Sequence, residues 1–144
     1  MPAGSSFAIV GPSGAGKTTA VDLLLRLYEP WSGAILLDGV PLNEIDPAAL
    51  RREVGVVAAD GALFQGSLLD NLRYKRPDAT EAEALEAAVA AGLGPTIERL
   101  PEGLATPVGE RGVGLSVGER QRVQIARVLI GDPRVLVLDE ATAN

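Results

Sequence analysis

The run Gly11-Pro12-Ser13-Gly14-Ala15-Gly16-Lys17-Thr18 sets glycines, a lysine and a hydroxyl at the spacing G-x-x-x-x-G-K-T. Such a loop can turn successive backbone N–H groups inward around a polyphosphate, because Gly11, Gly14 and Gly16 carry no Cβ to block the approach. Lys17 can place an ammonium between β- and γ-phosphates, and the Thr18 hydroxyl is placed to ligate Mg²⁺. Ser13, Ala15 and Thr19 belong to the same stretch and count with it as nucleotide contacts. The bland alternative is a glycine-rich turn between a strand and a helix.

Two further clusters could join that chemistry. Asp139-Glu140 follows directly on Val135-Leu136-Val137-Leu138, a continuous apolar run of the kind found in strands buried on both faces. Asp139 at the end of such a strand can hold the shell of a Mg²⁺ ion, while Glu140 can polarise an attacking water. Alone, the pair would equally well be a solvated acidic turn; beside a phosphate loop it reads as the matching half. Between the two lies Leu115-Ser116-Val117-Gly118-Glu119-Arg120-Gln121-Arg122, in which Ser116 and Glu119 satisfy the capping-box spacing S-x-x-E. A helix N-terminus carrying a hydroxyl and Gly118 is also an anion site, able to receive the γ-phosphate of a nucleotide held by another subunit. The two readings are compatible.

The elements that must position these residues follow from periodicity. Residues 7–10 read as a buried strand feeding the loop, and residues 19–27 as a helix with Ala20, Val21, Leu24, Leu27 and Tyr28 on its apolar stripe. Residues 34–37 and 40–42 flank Asp38-Gly39 as a hairpin, and Asp46-Pro47 opens a short helix through Arg52 as N-cap and N1. Residues 54–57 are the next strand. From 67 to 100 the chain reads as helices, with a break at 75–78, a capping box at Thr80 and Glu83, and Gly92 after the last turn; residues 98–107 read as a loop. The helix opened at Ser116 has Val123, Ala126 and Ile130 on one face and ends at Gly131 and Pro133.

Composition excludes several classes. The 144 residues fit one domain, and a net charge of -6 offers no basic stripe for nucleic acid. Without cysteine there are no disulfides or thiolate metal sites; without histidine any imidazole base must come from outside these residues. No apolar run approaches the roughly 18 residues of a membrane span and no signal peptide is visible, so the chain is expected to be soluble.

With three motifs in this order, the chain resembles the nucleotide-binding domain of an ATP-binding cassette (ABC) transporter: Walker A at 11–18, the signature LSVGERQR at 115–122 and Walker B, VLVLDE, at 135–140. It is most similar to the exporter type, because Thr106-Pro107-Val108-Gly109-Glu110-Arg111-Gly112 resembles the exporter X-loop and the runs SGAILLDGVPL and LFQGSLLDNL fit that subgroup. The resemblance implies an α/β P-loop NTPase, with a RecA-like parallel sheet core at 1–63 and 123–144, an inserted helical subdomain at 64–122, and the fold incomplete at both ends. It implies ATP and Mg²⁺, and a head-to-tail dimer with a second nucleotide-binding domain, each ATP lying between the P-loop of one copy and Ser116 and Gly118 of the other. It further implies a transmembrane domain as partner and a place on the cytoplasmic face of a membrane.

The chain departs from the family pattern in places. Ala59 stands where the family has its Q-loop glutamine, Gln65 is too far on to replace it, and Val117 occupies a position where glycine is usual. The aromatic A-loop residue, the rest of the D-loop and the switch histidine fall outside the 144 residues, so a truncated domain of marginal stability is expected. Three functions follow: the ATP-hydrolysing motor of an exporter, favoured by Glu140; a non-catalytic nucleotide-binding module, favoured by Ala59 and Val117; and an ABC-type ATPase of DNA maintenance, opposed by the short spacing between the motifs and the exporter X-loop.

Overall fold

The computed structural model describes residues 2–57, 62–109 and 114–139. They fall into two units, Met1–Arg51 and Arg52–Asn144, each described by itself.

The first unit is built around a helix that starts inside the glycine-rich loop. Helix α1 (Lys17–Leu24) takes Gly16, in the left-handed region, as its N-cap. It ends three residues earlier than the apolar stripe predicts, at a Schellman motif: Leu27 N–H bonds Asp22 O at 2.9 Å and Arg26 N–H bonds Leu23 O at 3.1 Å. The turn needs a positive φ, which Arg26 adopts at 54°. Its guanidinium donates to Ile45 O at 2.6 Å, a tertiary contact that holds a non-glycine residue where glycine is usual. Leu27 and Tyr28 therefore leave the helix and stand exposed.

The strand expected at 7–10 is not formed: these residues carry no strand assignment, and Val10 is 88% exposed. An apolar run records a need for burial, whereas a strand also needs a partner for its backbone groups. Among the described residues of this unit only the hairpin supplies such pairing, with β1 (Leu36–Leu37) antiparallel to β2 (Val40–Pro41). The expected Asp38-Gly39 turn is present, with φ of 49° and 83°. Helix α2 (Pro47–Glu53) also starts as expected, Asp46 Oδ2 accepting from Ala49 N–H at 2.8 Å.

The second unit holds the core. Strand β3 (Val54–Val57) leads to β4 (Gly66–Ser67), α3 (Leu68–Leu72), α4 (Glu81–Ala90), α5 (Gly94–Arg99), β5 (Pro107–Val108), α6 (Val117–Leu129) and β6 (Val135–Leu138). The region read as a loop at 98–107 instead contains the end of α5, a short 3-10 turn at Gly103–Ala105 and β5, which pairs antiparallel with β4. Apolar faces of α3, α4 and α6 meet in one cluster that includes Leu68, Leu72, Ala84, Ala88, Val123 and Ala126.

Strands β3 and β6 pair in parallel, with Val54 opposite Val135 and Val57 opposite Leu138. Helix α6 covers β3 so closely that a Cβ at Gly55 would collide with Val128 Cγ1 and lie 2.8 Å from Pro133 Cγ. Strand β6 is less enclosed than its unbroken apolar run predicts: Leu136 and Leu138 share an exposed face, and Val135 and Val137 are half-buried. Cover on both faces, which makes such a run necessary in a parallel sheet, reaches β3 and stops short of β6.

Candidate nucleotide site

The loop at 11–16 is shaped by its backbone. Gly14 and Gly16 stand at φ 81° and 88°, where a side chain would be strained. Gly11 is favoured for a different reason, since a Cβ there would crowd Ala15 Cβ at 3.1 Å. Ala15 N–H closes the turn on Pro12 O at 3.2 Å, with Ser13 within it. Lys17 Nζ then reaches back over the loop, donating to Gly11 O at 2.9 Å and Pro12 O at 3.1 Å. Thr18 and Thr19 follow in α1, which has no side-chain cap and no acidic residue in its first turn. The first turn itself brings no carboxylate to the positive end of the helix, and Lys17 adds a full charge at the same place.

Ser116 is the N-cap of α6, as expected, and the capping box is reciprocal. Ser116 Oγ accepts from Glu119 N–H at 3.3 Å, and Glu119 Oε2 accepts from Ser116 N–H at 2.8 Å. The other oxygen, Glu119 Oε1, accepts from Thr96 Oγ1 at 3.0 Å and from the Arg99 guanidinium. The hydrogen bond from Ser116 N–H leads the causes that hold the Glu119 carboxyl down at about 2, against the cost of partial burial. Among the described residues, a Cβ at Gly118 would meet nothing nearer than the flexible Arg122 guanidinium at 4.0 Å, so no contact there demands a glycine. Val117 is exposed and leaves the cap intact.

Asp139 sits immediately beyond β6, where its N–H donates to Val57 O at 3.0 Å and extends the pairing with β3 by one bond. The loop residues thus lie together in the first unit, while Ser116, Gly118 and Asp139 belong to the second. Glu140, Ala59 and the X-loop residues Glu110, Arg111 and Gly112 lie outside the described residues.

Sequence reasoning missed a buried polar node in the second unit. Asn71 is 1% exposed and Arg127 5% exposed. Arg127 Nε donates to Asn71 O at 2.8 Å, a guanidinium nitrogen donates to Ala62 O at 2.8 Å, and another meets Asn71 Oδ1. Asn71 Nδ2 donates in turn to Phe64 O and Ser67 O, both at 2.9 Å. The signal was an arginine between Ala126 and Val128 on the inward side of α6, where a charge must find partners. The Thr96 and Arg99 contacts to Glu119 were also missed, having no local spacing to announce them.

A profile of the ABC transporter family matches residues 1–143. The chain is 48% identical over 144 residues to the ABC transporter ATP-binding protein YfiC of Bacillus subtilis, covering 100% of this chain and 24% of that protein. It is 49% identical over 143 residues to an ATM1-type heavy metal exporter of Novosphingobium aromaticivorans, covering 99% of this chain and 24% of that protein. Among solved structures, a bacterial Atm1-family ABC exporter with ATP bound superposes with a TM-score of 0.85 at 47% identity, over 91% of this chain and 23% of that one. The chain therefore spans about a quarter of the length of these relatives. The fold is the α/β P-loop NTPase fold of ABC ATPases, as the motifs implied. A match that runs unbroken from the phosphate loop to the strand at Asp139 leads to one conclusion: the chain belongs to the ABC transporter family.

Proposed function

We propose that this chain is the ATP-binding and ATP-hydrolysing motor portion of an ABC exporter. The observation that carries the proposal is the loop closed by Lys17 over Gly11 and Pro12, with two left-handed glycines aiming α1 at one point. In this reading Gly11, Ser13, Gly14, Ala15, Gly16, Lys17, Thr18 and Thr19 hold the phosphates of ATP. Exchange of the Gly11 and Pro12 carbonyls for phosphate oxygens would turn the Lys17 ammonium from bracing the loop to neutralising the β- and γ-phosphates.

Residues 1–63 and 123–144 form the RecA-like core in this proposal, and 64–122 the inserted helical subdomain. Thr18 and Asp139 offer hard oxygen donors, which suit Mg²⁺; the ion, when bound, supplies charge neutralisation between phosphate oxygens. Glu140 is assigned to orient and deprotonate the attacking water. Ser116 and Gly118 face the γ-phosphate of ATP held by a second nucleotide-binding domain, arranged head to tail. Gly118 supports that role, because a helix normally gains from alanine over glycine and no contact among the described residues forbids the change. The intact cap beside Val117 favours the motor over a degenerate module. The motor would work on a transmembrane domain from the cytoplasmic face of the membrane; no described helix here is long and apolar enough to cross it.

Calorimetric titration with MgATP tests the reading. The chain should bind it and Lys17→Ala should bind markedly less; equal affinity for the two proteins would remove the phosphate-loop assignment. Glu140→Gln should keep binding and lose turnover.

A further inference from the structure

The helices α3, α4 and α6 all begin with reciprocal capping boxes, at Ser67 and Asp70, Thr80 and Glu83, and Ser116 and Glu119. In the first two the acid is held locally. Asp70 bonds only within its own box among the hydrogen bonds described, and Glu83 adds Arg76, seven residues away. Glu119 is different, because Thr96 and Arg99 reach it from 23 and 20 residues away, on another helix. Its two oxygens are divided: Oε2 faces the Ser116 N–H and Oε1 faces α5. A carboxylate pinned at one oxygen cannot rotate freely at the other, so the end of α5 fixes the orientation of the group that holds the Ser116 backbone.

Glu119 is the group that orients the serine. Ser116 Oγ takes the Glu119 N–H at the long distance of 3.3 Å, and its hydroxyl also interacts with the Glu119 carboxylate, so Glu119 orients both the backbone and the side chain of the serine. Thr96 is 5% exposed, so its hydroxyl needs a partner and finds it in Glu119. The Arg99 side chain is 60% exposed, and an ion pair so open to solvent contributes little to folding. Orientation is the larger effect it can have. We propose that Thr96 and Arg99 are positioning residues for the signature serine, acting through Glu119 to hold Ser116 in the geometry that donates to the γ-phosphate of the partner copy's nucleotide. The serine's role rests on the function proposed above; the Thr96–Arg99–Glu119 linkage stands apart from it.

The test pairs the full chain with Thr96→Val/Arg99→Met, and with Arg99→Met alone in case the double variant does not fold. Amide exchange by NMR at Ser116, with Val123 in the interior of the same helix as reference, reads the linkage directly. Exchange at Ser116 should quicken about tenfold in the double variant, and less in the single one, while Val123 holds. Sedimentation with MgATP should show self-association weakened by about tenfold, with ATP affinity by calorimetry unchanged within about twofold, because the P-loop is untouched. Thr96→Ser with Arg99→Lys, which retains both donors, should restore Ser116 protection. Ser116 exchange that stays at the parent rate overturns the proposal, as does acceleration of Ser116 and Val123 together, which would mean the pair merely holds the fold. Absence of ATP-driven association in the parent would instead count against the function, and Ser116 exchange would still decide the linkage.

Discussion

In the loop ending at Lys17, position comes from the backbone: two left-handed glycines, a lysine folded onto two carbonyls, and a helix in which no side chain is buried. At Ser116, position comes from side chains: a cap bonded to Glu119, Glu119 bonded to α5, and a helix whose Val123 and Ala126 are wholly buried. Both are helix N-termini that we propose meet phosphate. The contrast shows two ways of placing such a site, one written in local conformation and one dependent on the packed core behind it. Damage to the core should therefore reach Ser116 and leave the loop alone.

The largest expected effect breaks the second device. Leu72 is fully buried in the cluster behind α6, so Leu72→Ala should cost about 3 kcal/mol in chemical denaturation, from lost transfer free energy and the cavity left behind. Exchange should quicken across the amides of α3, α4 and α6 together. A loss under about 1 kcal/mol would mean that the cluster does not support the cap as described.

Next comes the first device. Lys17→Ala removes a charge-assisted contact and should weaken ATP binding by about 2 kcal/mol, roughly thirtyfold. The core of the second unit should keep its stability, since the Lys17 bonds are confined to the loop.

These two cases also show why the sequence was unevenly legible. The loop was readable because glycine spacing dictates backbone shape, and the turn at Asp38-Gly39, the N-cap at Asp46 and the boxes at Thr80 and Ser116 for the same reason. Each is a local rule with a local cause. Partners fixed by tertiary packing were not readable: Arg26 ends α1 early through a bond to Ile45, Arg127 finds Asn71 across 56 residues, and Thr96 finds Glu119 across 23. The apolar runs at 7–10 and 135–138 announced burial, but periodicity says nothing about which neighbour supplies it.

A sharper comparison comes from two substitutions at one helix end. Ser116→Ala removes the cap and should cost about 1 kcal/mol of stability. Gly118→Ala places a better helix former in open space and should gain up to about 1 kcal/mol. Both should weaken ATP-driven association. Opposite signs in thermal unfolding with the same sign in sedimentation would separate the site's function from its folding. If both measurements followed stability alone, Ser116 would be a cap and nothing more.

The smallest effect concerns acid. Glu83 and Glu119 are each lowered from 4.5 to about 2 in the folded chain, chiefly by the N–H of the residue they cap. A depressed carboxyl adds stability that is fully present above its unfolded value and is lost as pH falls through the folded one. The two caps should therefore hold unchanged from pH 7 to 5 and weaken from pH 4.5 toward 2. Stability against pH should show this loss in the parent and a smaller one in Glu119→Gln.

We propose that the loop at Lys17 and the cap at Ser116 act on one nucleotide from two copies of the chain. Sedimentation equilibrium with and without MgATP, on the parent chain, Lys17→Ala, Ser116→Ala and an equimolar mixture of the two variants, tests it most directly. An ATP-dependent dimer is expected for the parent, with strong weakening in each variant alone. In the mixture, one composite site carries both substitutions and the other carries neither, so partial recovery should appear. A dimer indifferent to ATP and to both substitutions, or a mixture no better than either variant, would contradict it.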